Sequence, residues 1–196
     1  MTHTLHRIGN LKDLKEDFVL LAMFARGIND NYDDSRQKLI KIAKIMNKHK
    51  PTNIMPEFGW KTSSTITAAF NNIDTVKEVI QELKKEDLGI SIVVSGLISE
   101  IENILKDLKL DIHTVHFSLG GNFGRKELLP KKEILEITTM CGHHTVSPQS
   151  ITNYVELIKK GKISIEKAAQ KLTRPCVCGI VNPSRIIKIL TVLVNE

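Results

Sequence analysis

The chain has 196 residues, long enough to close a hydrophobic core without disulfides. Its mean hydropathy of −0.10 and 41% apolar content exclude a membrane-embedded protein, since no apolar run approaches the ~18 residues of a spanning helix. The excess of 28 Lys and Arg over 22 Asp and Glu gives a net charge of +6. The lysines alternate with acids on helix surfaces, as in Glu82–Glu86 and Lys106–Lys109, so nucleic acid is not the expected partner.

Residues 1–16 are polar and group His3, His6 and Arg7. Met1–Arg7 lacks the basic-then-apolar profile of a secretion signal, and a cytoplasmic location is expected. Asp17–Phe24 reads as a buried strand. Ser35 is placed to cap a helix whose apolar positions Leu39, Ile42, Ala43 and Met46 follow the helical period, ending near His49 ahead of Pro51. Periodicity is then lost over residues 51–70, which read as an irregular excursion. Within it Trp60 either lies beside a ligand or covers the edge of the core, and the excursion is the expected contact of a homo-oligomer.

Asp74 is the expected cap of a helix carrying Val76, Val79, Ile80 and Leu83, which Leu88-Gly89 ends. Ile90–Val94 is a strand, and Ser95-Gly96 turns it into a helix with Ile98, Ile101, Leu105 and Leu108. A strand–glycine–helix step offers free backbone N–H groups to an anion. The alternation over residues 112–119 predicts another strand, followed by Gly120–Arg125 as an ordinary loop or an anion cradle. Glu133–Thr139 reads as a last strand delivering Cys141. Three helices follow: Ser147-Pro148 starts the first, Ser164 the second, and Asn182-Pro183 the third.

This order predicts an α/β or α+β fold, a mixed sheet covered by helices, with a C-terminal helical cap carrying the cysteines. Residues 1–140 form the sheet domain, including the excursion over 51–70. Residues 141–196 form the cap, packed as part of the same domain.

All three cysteines lie in the last third, in Met140-Cys141-Gly142-His143-His144 and Pro175-Cys176-Val177-Cys178-Gly179. Their odd number and the one-residue gap argue against disulfides and for a reducing compartment. Each group sits just ahead of a helix N-terminus, where partial positive charge favours thiolate. Four readings stay open, the plainest being structural cysteines with no chemistry. A 4Fe–4S cluster would use Cys141, Cys176 and Cys178, leaving one iron open or closed by His143 or His144. Zinc would take the same cysteines with His143 or His144 as fourth ligand. Without metal, Cys141 would be a nucleophile with His143 or His144, or a more distant His113 or His116, as base.

Arg7, His3, His6, Asn182 and Arg185 are the candidate anchors for a small anionic substrate. At an open iron the chemistry would be that of a lyase, a hydratase or a reductase; at a bare thiol, that of a transferase or hydrolase. The rival reading is a non-catalytic zinc or iron–sulfur carrier or structural module.

Overall fold

The computed structural model describes residues 7–25, 27–30, 32–112 and 124–196. Among the described residues, four strands form one antiparallel sheet in the order β2-β3-β1-β4, comprising β1 (Phe18–Met23), β2 (Asn53–Ile54), β3 (Thr65–Phe70) and β4 (Ser91–Ser95). β1 lies between β3 and β4, with Leu21 opposite Thr67 on one side and Val93 on the other. The expected mixed α/β architecture with cysteine-bearing C-terminal helices is the one observed. The predicted strand over 112–119 lies outside the described residues apart from Ile112, as do residues 120–123 of the following turn.

A short α1 (Leu11–Leu14) precedes the sheet, and α2 (Tyr32–Lys48) and α4 (Ile73–Glu86) pack on it. α2 starts a turn earlier than Ser35 implied. Asp33 and Asp34 complement the positive helix start, while Ser35 lies within the helix and donates its hydroxyl to the Asn29 carbonyl. α4 is capped by Asn72, whose side chain accepts from the N–H groups of Asp74 and Thr75 at 2.7 and 3.2 Å. Asp74 therefore sits in the first turn rather than at the cap. α5 (Ile98–Asp107) follows β4 directly.

The stretch from 51 to 70 is not irregular. It forms β2, the short helix α3 (Glu57–Thr62) and β3, every residue of which is buried. Thr-Ile-Thr-Ala-Ala-Phe hides its strand character because it is buried on both faces, with Thr67 bonded to the Cys178 carbonyl, so no apolar–polar alternation marks it. Trp60 covers the core edge: it is buried, and its Nε1–H donates to the Met55 carbonyl at 2.7 Å.

Residues 133–139, read as a strand, fall instead in helix α6 (Lys132–Thr138) and its C-cap Thr139. The β-branched run suggested extension, yet Ile137 and Met140 bury at helical spacing. Thr139 satisfies its hydroxyl on the Leu135 carbonyl one turn back, at 2.7 Å. The last three helices, α7 (Pro148–Lys159), α8 (Ile165–Thr173) and α9 (Pro183–Asn195), begin where the caps predict. Ser147, Ser164 and Asn182 each accept a backbone N–H through the side chain. One hydrophobic cluster joins sheet and cap, from Phe18 through Ile66 and Met140 to Leu190. No described helix is long and apolar enough to cross a membrane.

Candidate functional site

The loop between α8 and α9 is docked against the sheet by polar contacts. Thr67 on β3 donates its hydroxyl to the Cys178 carbonyl, and Asn53 on β2 donates Nδ2–H to the Val181 carbonyl at 2.9 Å. Between them, the Gly179 N–H closes a turn on the Cys176 carbonyl at 3.0 Å. Gly179 has φ +73°, and a side chain there would collide with the backbone of Ile54 and Met55. The turn can lie this close to β2 because residue 179 is glycine.

Cys141 leaves the end of α6, and the His144 N–H closes a turn back onto its carbonyl at 3.0 Å. This places the residue-141 turn against the cysteine loop. The Sγ atoms of Cys176 and Cys178 are 3.7 Å apart, and His143 Nδ1 lies 3.9 Å from Cys178 Sγ. Cys141 hydrogen-bonds to Cys176 and lies 3.0 Å from the Thr145 hydroxyl. All three thiols are reduced and buried, whereas His143 and His144 are exposed.

These contacts run in file, from His143 to Cys178, Cys176, Cys141 and Thr145. Among the described residues, no group of three or more His, Cys, Asp or Glu takes an arrangement able to hold a metal ion. The expected 4Fe–4S or zinc centre on Cys141, Cys176, Cys178 and His143 is thereby overturned, and the open-iron chemistry with it. The physical difference is one of direction: each sulfur meets its neighbour along a hydrogen-bonded row. A ligand set instead closes all its donors around one point.

The row grades the acidity of the thiols. Cys178 is lowered to about 7, first by the hydrogen bond from Cys176, against the opposing effect of burial, with support from the Ile180 backbone N–H. Cys176 is helped by Cys141, but donating to Cys178 and burial leave it raised overall. Cys141 is pushed up to about 12, first because it donates to Cys176 and then by burial, with Thr145 acting against both. Of the three, Cys178 is the sulfur that is substantially thiolate near neutral pH, and the expected nucleophile Cys141 stays a neutral thiol.

Cys141 carries a pH prediction. Its folded pKa lies above the ordinary 9.0, so its contribution to stability is complete below pH 9 and falls as pH rises towards about 12. Urea midpoints should therefore drop steeply above pH 9, by an interval worth at most ~4 kcal/mol. In Cys141→Ala that alkaline slope should flatten, at the cost of a lower plateau from the cavity left behind. Equal slopes in both proteins would assign the alkaline loss to other groups.

The proposed anion anchors divide. His3 and His6, and the candidate bases His113 and His116, lie outside the described residues. Arg7 and Arg185 converge instead on Asp17, whose Oδ2 accepts from Arg7 Nη1 at 2.9 Å and from Arg185 Nη1 at 2.8 Å. Asn182 donates Nδ2–H to Asp17 Oδ1 at 3.2 Å and to the Glu16 carbonyl at 3.0 Å. Arg7 also reaches the Ile180 carbonyl and Arg185 the Ile8 carbonyl. Glu136 stands 3.6 Å from Arg185, its pKa raised because burial outweighs the arginine's attraction.

Thus Asn182 and Arg185 fasten the start of β1 to α9, and Arg7 holds the far end of the cysteine turn. Asp17, Thr67, Asn53 and Gly179 build this arrangement without being foreseen from sequence. A carboxylate directly before a buried strand was the one available signal. Comparison with protein-family models, with curated proteins and with solved structures finds no match for this chain.

Proposed function

We propose that the protein is a metal-free cysteine-nucleophile enzyme acting by thiol–disulfide exchange, with Cys178 as the attacking thiolate. The observation that carries this is the Cys176–Cys178 pair, with sulfurs 3.7 Å apart and a Cys178 thiol lowered to about 7. A thiol with pKa near ambient pH combines a large thiolate fraction with retained nucleophilicity. Exchange also needs a second thiol at hand and no oxyanion-binding machinery, which suits this row better than acyl transfer.

In the first step the Cys178 thiolate attacks one sulfur of a disulfide substrate. A protein–substrate S–S bond forms, and the other substrate sulfur leaves with its electron pair as a thiolate. Cys176 then loses its proton and attacks Cys178 Sγ, releasing the second substrate thiolate. The substrate has gained two electrons and the protein carries a Cys176–Cys178 disulfide. A ring closed across one residue is strained and easily reduced, so a second thiol substrate restores the row. Cys178 is 5% exposed, which favours small disulfides over folded proteins as substrates.

The test uses an aromatic disulfide that releases a coloured thiolate. At pH 7 the native chain should release two equivalents per fast event, Cys176→Ala one with the mixed disulfide retained, and Cys178→Ser none in the fast phase. Iodoacetamide labelling of Cys178 should show a midpoint near 7, moved up in Cys176→Ala. A midpoint at the ordinary thiol value, or fast release surviving Cys178→Ser, would sink the proposal.

A further inference from the structure

We infer that the cavity between Arg7 and the start of α5 is a binding site for a phosphate-sized oxyanion. This does not rest on the thiol reading. The cavity has a volume of about 140 Å³ and is lined by Arg7, Leu14, Asp17, Ser95, Gly96 and Leu97. That is room for a tetrahedral oxyanion together with water.

Two independent features adjoin this space, which Leu97 and Arg7 help to line. The first is the α5 N-terminus. Leu97 occupies the cap position and makes no side-chain cap hydrogen bond, so the first-turn N–H groups of Ile98 and Ser99 have no acceptor among the described residues. A helix of ten residues adds its dipole at that end. Gly96 lets the strand–helix step lie against Phe18, whose ring a Cβ there would strike.

The second is Arg7, whose side chain is 4% exposed. Nη1 is taken by Asp17 and Nη2 by the Ile180 carbonyl, but Nε is buried with no acceptor among the described residues. An N–H left dry in this way normally costs ~1–3 kcal/mol, and an anion in the adjoining cavity would supply the missing acceptor.

The acidic groups nearby do not fill the role. Asp17 lines the same cavity, yet it already accepts from Arg7, Arg185 and Asn182, and those two arginines leave a surplus positive charge over it. Glu100, in the first turn of α5, is drawn to Lys15 at 3.0 Å. Glu136 lies on Arg185, on the side of α6. An oxyanion would accept from Ile98 and Ser99 backbone N–H and from Arg7 Nε–H, the pattern of phosphate at a helix start reinforced by a buried guanidinium.

The experiment titrates the full chain with inorganic phosphate at constant ionic strength, followed by nitrogen–proton NMR. Saturable shifts are expected at the Ile98 and Ser99 amides and at Arg7 Nε–H. Leu97→Asp places a carboxylate over the same N–H groups while supplying a proper helix cap, and should abolish the response. Ile98→Pro removes one donor at a position where proline suits a helix start, and should weaken binding roughly tenfold or more. Absence of saturation, or saturation untouched by both substitutions, overturns the inference.

Discussion

Asp17→Ala is expected to destabilise the protein by ~3–5 kcal/mol, read as a fall in the urea midpoint at unchanged slope. The reason is asymmetry. The carboxylate is buried and both its oxygens are occupied, by Arg7 and Arg185 at 2.9 and 2.8 Å and by Asn182 at 3.2 Å. Removing it leaves two guanidinium groups, 4% and 2% exposed, with Glu136, 3.6 Å from Arg185, as the remaining carboxylate beside them. Exposed pairs such as Lys48–Glu82 make the contrast: breaking that one should change stability by less than ~1 kcal/mol. A loss below 1 kcal/mol in Asp17→Ala would mean that the arginines rehydrate freely and that the network is not a structural clamp.

Gly179→Ala should be nearly as damaging, by about 2–5 kcal/mol, because two costs add. The left-handed conformation at φ +73° disfavours any side chain, and the new Cβ would lie 2.6 Å from the Ile54 carbonyl oxygen and closer still to the Ile54–Met55 peptide. Gly161 separates the two costs. It has φ +65° with nothing within 4 Å of a Cβ, so Gly161→Ala should show the conformational part alone, about 1 kcal/mol. Gly179→Ala should also slow iodoacetamide labelling of Cys178 at pH 7, since the turn that supplies the Cys176 thiol and the Ile180 N–H must move. Equal losses at the two glycines would deny the close approach to β2.

The parts of the fold that sequence reveals are those fixed by local chemistry. Ser147-Pro148, Ser164 and Asn182-Pro183 state three helix starts, because a capping oxygen and a proline act within one turn. β1 and β4 are legible from their apolar runs. What stayed hidden depends on distant partners. β3 is polar on one face because Thr67 meets the Cys178 carbonyl, 111 residues away, and α6 is helical because Ile137 and Met140 bury together against a spacing its β-branched residues disguise.

The same division runs through the site. The Gly and Pro settings of the cysteines pointed to one shared site, and the structure brings the sulfurs of Cys176 and Cys178 to 3.7 Å with Cys141 hydrogen-bonded behind. Their number suggested a ligand set, which the hydrogen-bonded row does not form. Nor does sequence rank them: Cys141 is pushed up to about 12 and Cys178 down to about 7 by who donates to whom, a matter of placement alone. The acid that Arg7 and Arg185 share is invisible until β1 and α9 are side by side.

The clamp on Asp17 has a consequence for synthesis. Its second arginine lies 168 residues further along, and at ~5–20 residues per second a ribosome needs roughly 8–34 s to reach it. All four strands have been made well before then, yet β1 cannot bury its leading carboxylate until α9 exists. Nascent chains paused between residues 95 and 185 should therefore hold a hydrated, protease-sensitive sheet, and protection should appear in one step with the last helix.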